Sequence, residues 1–276
     1  MFKKKLISTL GVAVGLALSG ASSAATITNL DNTFNFGGFD WASAGTAFTT
    51  GFAPVATTAF TLTYFSQATA ITFGGNPISA LSLPHMDTVA NGVYDTPPLT
   101  APSGYEYTIV ATVNETVVGC VLTSCTFNVT GGTFNIYYDL TSNANMLAGS
   151  LGTGFNNGTV IIGGTINGGT QSTFDTANGS NSTTLQGTVT TTNNTFVNPN
   201  LVGTTATTTL QIGNAVTDWT NPGGFNGAAF TANNIVFQAD ANESFTQAVP
   251  EPGSLALLGA AFLGFFGLGR RRNKLA

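Results

Sequence analysis

The chain is 276 residues long, only 7% of them charged, with a formal net charge of −5. That value conceals a segregation: the cations are Lys3, Lys4, Lys5, Arg270, Arg271, Arg272 and Lys274, whereas all twelve acidic residues lie between Asp31 and Glu251. A body without lysine or arginine repels phosphate backbones and lacks an arginine clamp, a Schiff-base lysine or a phosphate-loop lysine, which excludes nucleic acid as a partner and removes the cationic tools of catalysis.

The chain opens with a basic Met1-Phe2-Lys3-Lys4-Lys5, an apolar stretch from Leu6 to Leu18 and a small-residue run from Ser19 to Ala25. This is the order of a secretory signal peptide. Small side chains at Ser22 and Ala24, or at Ser23 and Ala25, suit a signal peptidase, so residues 1–25 are expected to form a signal helix removed after Ala24 or Ala25 during Sec export. The apolar core is shorter than the ~20 residues a permanent spanning helix needs.

Residues 26–248 then read as one exported, β-rich domain. Disorder is excluded, because hydrophobic residues make up 42% of the chain, with 21 phenylalanines, enough to bury a core. Short runs alternate apolar and polar residues with period two, the pattern of half-buried strands. They are Phe60–Phe65, Tyr105–Val113, Phe134–Tyr138, Thr159–Ile162, Thr204–Ile212 and Ile235–Phe237. In the clearest of them Tyr105, Tyr107, Ile109, Ala111 and Val113 share one side, with Glu106, Thr108 and Thr112 on the other. Turn signals punctuate the chain at Gly74-Gly75-Asn76-Pro77, Gly131-Gly132, Asn167-Gly168-Gly169 and Asn221-Pro222-Gly223-Gly224. The stretch from Thr165 to Asn200, rich in Thr, Asn, Ser and Gly, reads as a surface β-extension or a loop. Short strands joined by turns, with no helical periodicity outside the termini, predict an all-β body built as an antiparallel sandwich or jelly-roll-like fold.

Cys120 and Cys125 are the only cysteines. In an oxidising compartment a pair closing so short a loop points to a disulfide that staples one turn. The alternative is an exposed redox pair, whose motifs usually carry two intervening residues. His85 is the only histidine, so any Ser-His-Asp triad would have to use it, yet no Gly-x-Ser-x-Gly elbow occurs. It is taken as a loop histidine, and no catalytic residue is assigned. Zinc lacks ligands. Calcium has candidate oxygens at Asp31, Asp40, Asp87, Asp95, Asp139, Asp175, Asp218 and Asp240, but no spaced acidic loop, so these are read as solvated loop aspartates and neither a metal nor a cofactor is expected. Paired carboxylates for glycoside hydrolysis would need two of these acids to converge.

The last segment, residues 249–276, combines Val249-Pro250-Glu251-Pro252, an apolar run from Ser254 to Gly269 expected to be a transmembrane helix, and the Arg270-Arg271-Arg272 cluster that holds its end in the cytoplasm. Two prolines remove backbone donors and keep the preceding residues extended, so Glu251 is presented on an unpaired segment. This ordered triple resembles the PEP-CTERM sorting signal. The resemblance implies processing by an exosortase, a transient inner-membrane anchor and delivery to the cell surface or extracellular matrix. More weakly, Gly132–Asp139, Met146–Gly149 and Gly154–Gly158 are similar to flocculation-associated PEP-CTERM proteins. That likeness implies a non-enzymatic structural part in biofilm or floc formation, with extracellular polysaccharide as a candidate partner. The alternative is a secreted carbohydrate-binding or polysaccharide-hydrolysing domain, suggested by acidity and by aromatics such as Trp41 and Trp219.

Overall fold

A computed structural model describes residues 24–88, 104–175, 179–213 and 219–246. Sixteen strands follow in chain order: β1 (Thr26–Thr28), β2 (Thr33–Asn35), β3 (Gly38–Trp41), β4 (Gly45–Thr50), β5 (Ala59–Phe73), β6 (Asn76–Pro77), β7 (Glu106–Val121), β8 (Ser124–Asp139), β9 (Thr159–Ile166), β10 (Gln171–Asp175), β11 (Asn181–Thr192), β12 (Val197–Asn198), β13 (Thr205–Ile212), β14 (Gly224–Phe225), β15 (Ala228–Ala229) and β16 (Val236–Thr246). The only described helix is a 3-10 turn over Ala80–Ser82. No described helix is long and apolar enough to cross a membrane. The signal helix, the sorting motif and the apolar run before the arginines lie outside the described residues, as do Asp95 and Asp218.

Antiparallel pairing runs β8-β7-β5-β3-β16-β13-β11-β9, and β9 pairs back onto β8 through Gly132↔Ile166 to Tyr138↔Thr159. The sheet therefore closes into an eight-stave barrel. Strands β3 and β4 share one stave, each pairing with both β5 and β16. The expected sandwich or jelly-roll is corrected to a barrel. Closure pairs each of the eight described staves on both sides, leaving only β10 with a largely open edge, and it is made possible by bends that a period-two pattern does not reveal. In β8 the register slips at Thr130, so inward residues change from Cys125, Phe127 and Val129 to Phe134, Ile136 and Tyr138. Gly131-Gly132 is thus a mid-strand bulge and not a turn. A Cβ at Gly132 would stand 2.1 Å from the Thr112 carbonyl oxygen, so only glycine lets the strands approach there.

The two ends of the lumen differ. One is filled by aromatic rings: Phe39 stacks on Trp41 at 4.9 Å and meets Tyr107 at 5.2 Å, Tyr107 meets Tyr138 at 5.2 Å, and Tyr138 meets Phe196 at 5.1 Å. The small sheet β12-β1-β2 belongs to the same apolar core and contributes fully buried Ile27 and Val197. At the other end Phe52, Phe60 and Phe127 stand edge to face, but the lumen beside them is hollow. Outside the wall, Phe65 of β5 is covered by Phe155 at 5.1 Å and Phe225 at 4.7 Å, so this stave is buried on both faces.

The sequence-predicted strands coincide with parts of β5, β7, β8, β9, β13 and β16, except that Tyr105, Thr204 and Ile235 each stand one residue before the strand begins. The expectation of a half-buried strand over Tyr105–Val113 holds for its inward side, where Tyr105, Tyr107, Ile109, Ala111 and Val113 are all buried. On the outward side, however, Glu106 and Thr108 are buried too, under the chain from Ser142 to Phe155. The stretch from Thr165 to Asn200 is neither a loop nor a surface extension for most of its length. It supplies β10, the stave β11 and the capping strand β12. Cys120 and Cys125 face each other across β7 and β8 and are bonded, stapling the two-residue turn Leu122-Thr123.

Candidate functional site

At the filled end the turn between β1 and β2 carries Asp31. Its side chain is almost inaccessible, and it receives the Tyr105 hydroxyl at 2.9 Å and lies 2.5 Å from His85 Nδ1. The His85 backbone N–H also points to Asp31 Oδ2 at 3.4 Å. His85 is thus a loop histidine held by a carboxylate, not a free one. This pair ties the β1–β2 turn to the loop preceding β7. Among the described residues no serine, threonine or cysteine hydrogen-bonds the imidazole.

Three glutamates are buried. Glu106, on the outer face of β7, is fully enclosed, yet it accepts the Asn143 and Ala144 N–H groups at 2.8 and 3.0 Å and the Gln67 amide at 3.1 Å. Burial pushes its carboxyl up to about 8, against the pull of those donors. It anchors the segment that covers β5 and β7. Glu243, inward-facing on β16 opposite Phe39, is pushed up to about 8 by burial alone; the Trp41 and Thr208 side chains face it and oppose the shift, but neither completes a hydrogen bond of ordinary length. Glu115, inward-facing on β7, is pushed up to about 7 by burial, opposed by the facing Ser172 hydroxyl.

Glu115, Ser172, Thr49, Asn181 and Thr183 border a cavity of about 240 Å³ at the hollow end, whose remaining lining is mostly apolar, with Phe60, Phe127, Phe174 and Leu210. A further space of about 20 Å³ continues inward past Val113, Leu185 and Leu210 toward Phe134. The wall beside the cavity is split. β10 continues from β9 along β8, pairing Gln171–Asp175 with Ser124–Asn128. Among the described residues its other edge is bridged toward β11 at Asp175–Ser180, just before that strand begins. Phe174 reaches across to Phe237 at 5.1 Å.

A second, open space of about 510 Å³ lies at the filled end. It is bordered by Asn29, Tyr138, Asp139, Asn157, Thr195 and Phe196. The other sequence-stated aspartates scatter. Asp40 and Asp240 occupy the outer faces of neighbouring staves, and burial followed by the Asp40 charge raises Asp240. Asp87 is buried beside the Gln67 amide, and Asp139 accepts the Thr141 N–H at 2.8 Å. No three His, Cys, Asp or Glu side chains converge among the described residues. Trp41 is sealed in the lumen, and Trp219 is half-buried with its indole N–H on Thr46 Oγ1 at 3.1 Å. Neither forms an exposed platform for a sugar ring.

Beyond β16 the chain runs into Pro250-Glu251-Pro252, the apolar stretch and the arginine cluster. Residues 248–272 match the family described as the PEP-CTERM protein-sorting motif. The chain carries a PEP-CTERM sorting signal. That signal makes this an exported protein targeted to an exosortase and implies a transient membrane-anchored state before delivery to the cell surface. The PEP-CTERM match takes in Val249, Pro250, Glu251 and Pro252 together with Arg270, Arg271 and Arg272. No curated protein and no solved structure matches the chain. Sequence reasoning overlooked Glu115, although a usable signal was present: continuing the alternation of Tyr105 to Val113 by one step places Glu115 on the lumen side.

Proposed function

We propose that this protein is a non-enzymatic component of the cell surface or extracellular matrix, its barrel handed over by an exosortase and contributing to biofilm or floc cohesion. The observation that carries this reading is the junction itself: a closed barrel ends at Thr246 and the sorting motif begins at residue 248. The barrel between the two signals contains no lysine or arginine. Removal of both signals leaves a strongly acidic domain that repels its own copies at neutral pH. Deletion of the gene is expected to reduce aggregation and matrix retention, and unchanged flocs would defeat the proposal. Processing has its own test. Mature protein from the producing cells, denatured and reduced, is expected to resist trypsin, and recovery of Arg271-containing peptides from the surface fraction would establish a plain tail anchor instead.

The open groove at the filled end favours a second reading, a carbohydrate-binding domain. Asn29, Asp139, Asn157 and Thr195 offer hydrogen-bonding groups beside the Phe196 ring. Loss of polysaccharide retention on Asp139→Ala with Asn157→Ala, in a folded barrel, would favour it. Hydrolysis would be detected as new reducing ends in the same panel.

A further inference from the structure

The hollow end joins features that packing alone does not call for. A buried carboxyl stands at the wall of an apolar cavity, and eight-stave barrels are wide enough to hold one small ligand. The cavity, about 240 Å³, exceeds the roughly 150 Å³ that accommodates benzene in an engineered core. Glu115 retains only 8% exposure and Ser172 only 5%, and the Ser172 hydroxyl completes no hydrogen bond of ordinary length among the described residues. No lysine or arginine exists anywhere between Leu6 and Gly269 to neutralise Glu115, and the single histidine is engaged by Asp31 at the filled end.

Buried charges are ordinarily paired. Here the barrel has no lysine or arginine to supply, while aromatic rings, whose faces attract cations, line the same cavity. The acidic field of the whole domain acts in the same direction, concentrating cations and repelling anions.

We propose that the hollow end of the lumen binds a small hydrophobic amine, its hydrocarbon among Phe60, Phe127, Phe174 and Leu210 and its ammonium on the Glu115 carboxylate beside Ser172. The split between β10, which carries Ser172, and β11 is the route by which the amine enters. Among the described residues Glu115 is the only titratable group lining the cavity, to which β4, β5, β7, β8, β10, β11, β13 and β16 all contribute. The nearest carboxylate along β10, Asp175, lies on the opposite face of that strand from Ser172 and Phe174 by alternation. Binding therefore follows ionisation of Glu115, which burial places near pH 7. This site stands independently of the matrix role.

The test uses protein recovered from the producing cells and three matched probes in calorimetry: 4-phenylbutylamine, 4-phenylbutan-1-ol and 4-phenylbutyrate. The amine is expected to bind best, with affinity rising about tenfold between pH 6 and pH 8 as the carboxylate population grows. Glu115→Gln is expected to abolish both the preference for the amine and the pH step. Leu210→Trp, which fills the cavity, is expected to lose every probe while the barrel keeps its far-ultraviolet spectrum. Equal binding of amine and alcohol, preference for the acid, a pH-independent affinity in the parent protein or no amine binding at millimolar concentration would each overturn the proposal.

Discussion

The two ends of one barrel solve the problem of a polar residue in the lumen differently. At the filled end Glu243 is packed among Phe39 and Trp41 and has no route to solvent, so it is held as the neutral acid. At the hollow end Glu115 borders open space and its carboxyl is pushed less far, to about 7. The same residue type on inward positions of the same sheet is thus a packing unit where the void is filled and borders volume that a small molecule can occupy where it is not. Desolvation sets the shift in both places, and the volume left over sets what the group can meet.

The comparison is broken most severely by pH. Glu106, Glu115 and Glu243 all titrate higher in the folded chain than at their ordinary value of 4.5. Between those limits the folded state holds more protons than the unfolded state, so stability is full below about pH 4.5 and is lost as pH rises through about 7 and 8. Urea titrations across this range are expected to show a fall on the order of several kcal/mol, about a third of it recovered above pH 8 by Glu243→Gln. A flat profile would mean that the filled end admits water.

Next in size is the contrast between core truncations. Trp41→Ala, at 1% exposure and stacked on Phe39, is expected to cost about 3–5 kcal/mol. Leu210→Ala at the hollow end should fall nearer ~2 kcal/mol, because one side of that residue already faces a void. Equal losses in denaturant midpoints would erase the distinction between the ends. Glu106→Ala tests the outer cover of the filled end. It strands the Asn143 and Ala144 N–H groups and leaves the Gln67 amide only the Asp87 carbonyl, with an expected loss of about 2–3 kcal/mol and faster proteolysis of the segment over Ser142–Phe155. The smallest effect sits beyond the hollow end, at the stapled turn. Leu122 is 99% exposed with φ 55°, so Leu122→Gly is expected to stabilise the hairpin by about 0.5–1 kcal/mol in thermal melts.

The filled end was more legible in the sequence than the hollow one. Tyr105, Tyr107, Ile109, Ala111 and Val113 alternate without interruption, so their strand and inward face follow directly from period two. Strand β11 hides because its inward residues Leu185, Gly187 and Val189 flank a glycine among threonines, which leaves too little apolar signal to read as a stave. Gly187 is small for a reason that lies elsewhere: a Cβ there would stand 2.7 Å from the Thr165 carbonyl oxygen, with the Phe134 ring at 3.2 Å. Closure was illegible because it depends on the Thr130 bulge and the contact between β8 and β9, both nonlocal facts. The sandwich expectation failed for that reason, and with it any view of a lumen. The sorting tail was legible because three features must occur in a fixed order, whereas a single glutamate one step beyond a clear alternation carries no such redundancy.

The position of β16 has a consequence in time. Its partners are β13 on one side and β3 with β4 on the other, so Asn242 pairs with Asp40 across most of the chain. Ladders of such long sequence separation close slowly, since the loop entropy must be spent before the pairing is gained. Until β16 emerges from the export channel, β13 and the β3–β4 stave present open edges of the kind that recruit other chains. The barrel is therefore expected to complete its fold only after translocation, and a chain truncated before Val236 is expected to accumulate as aggregate outside the inner membrane, however intact its other strands are.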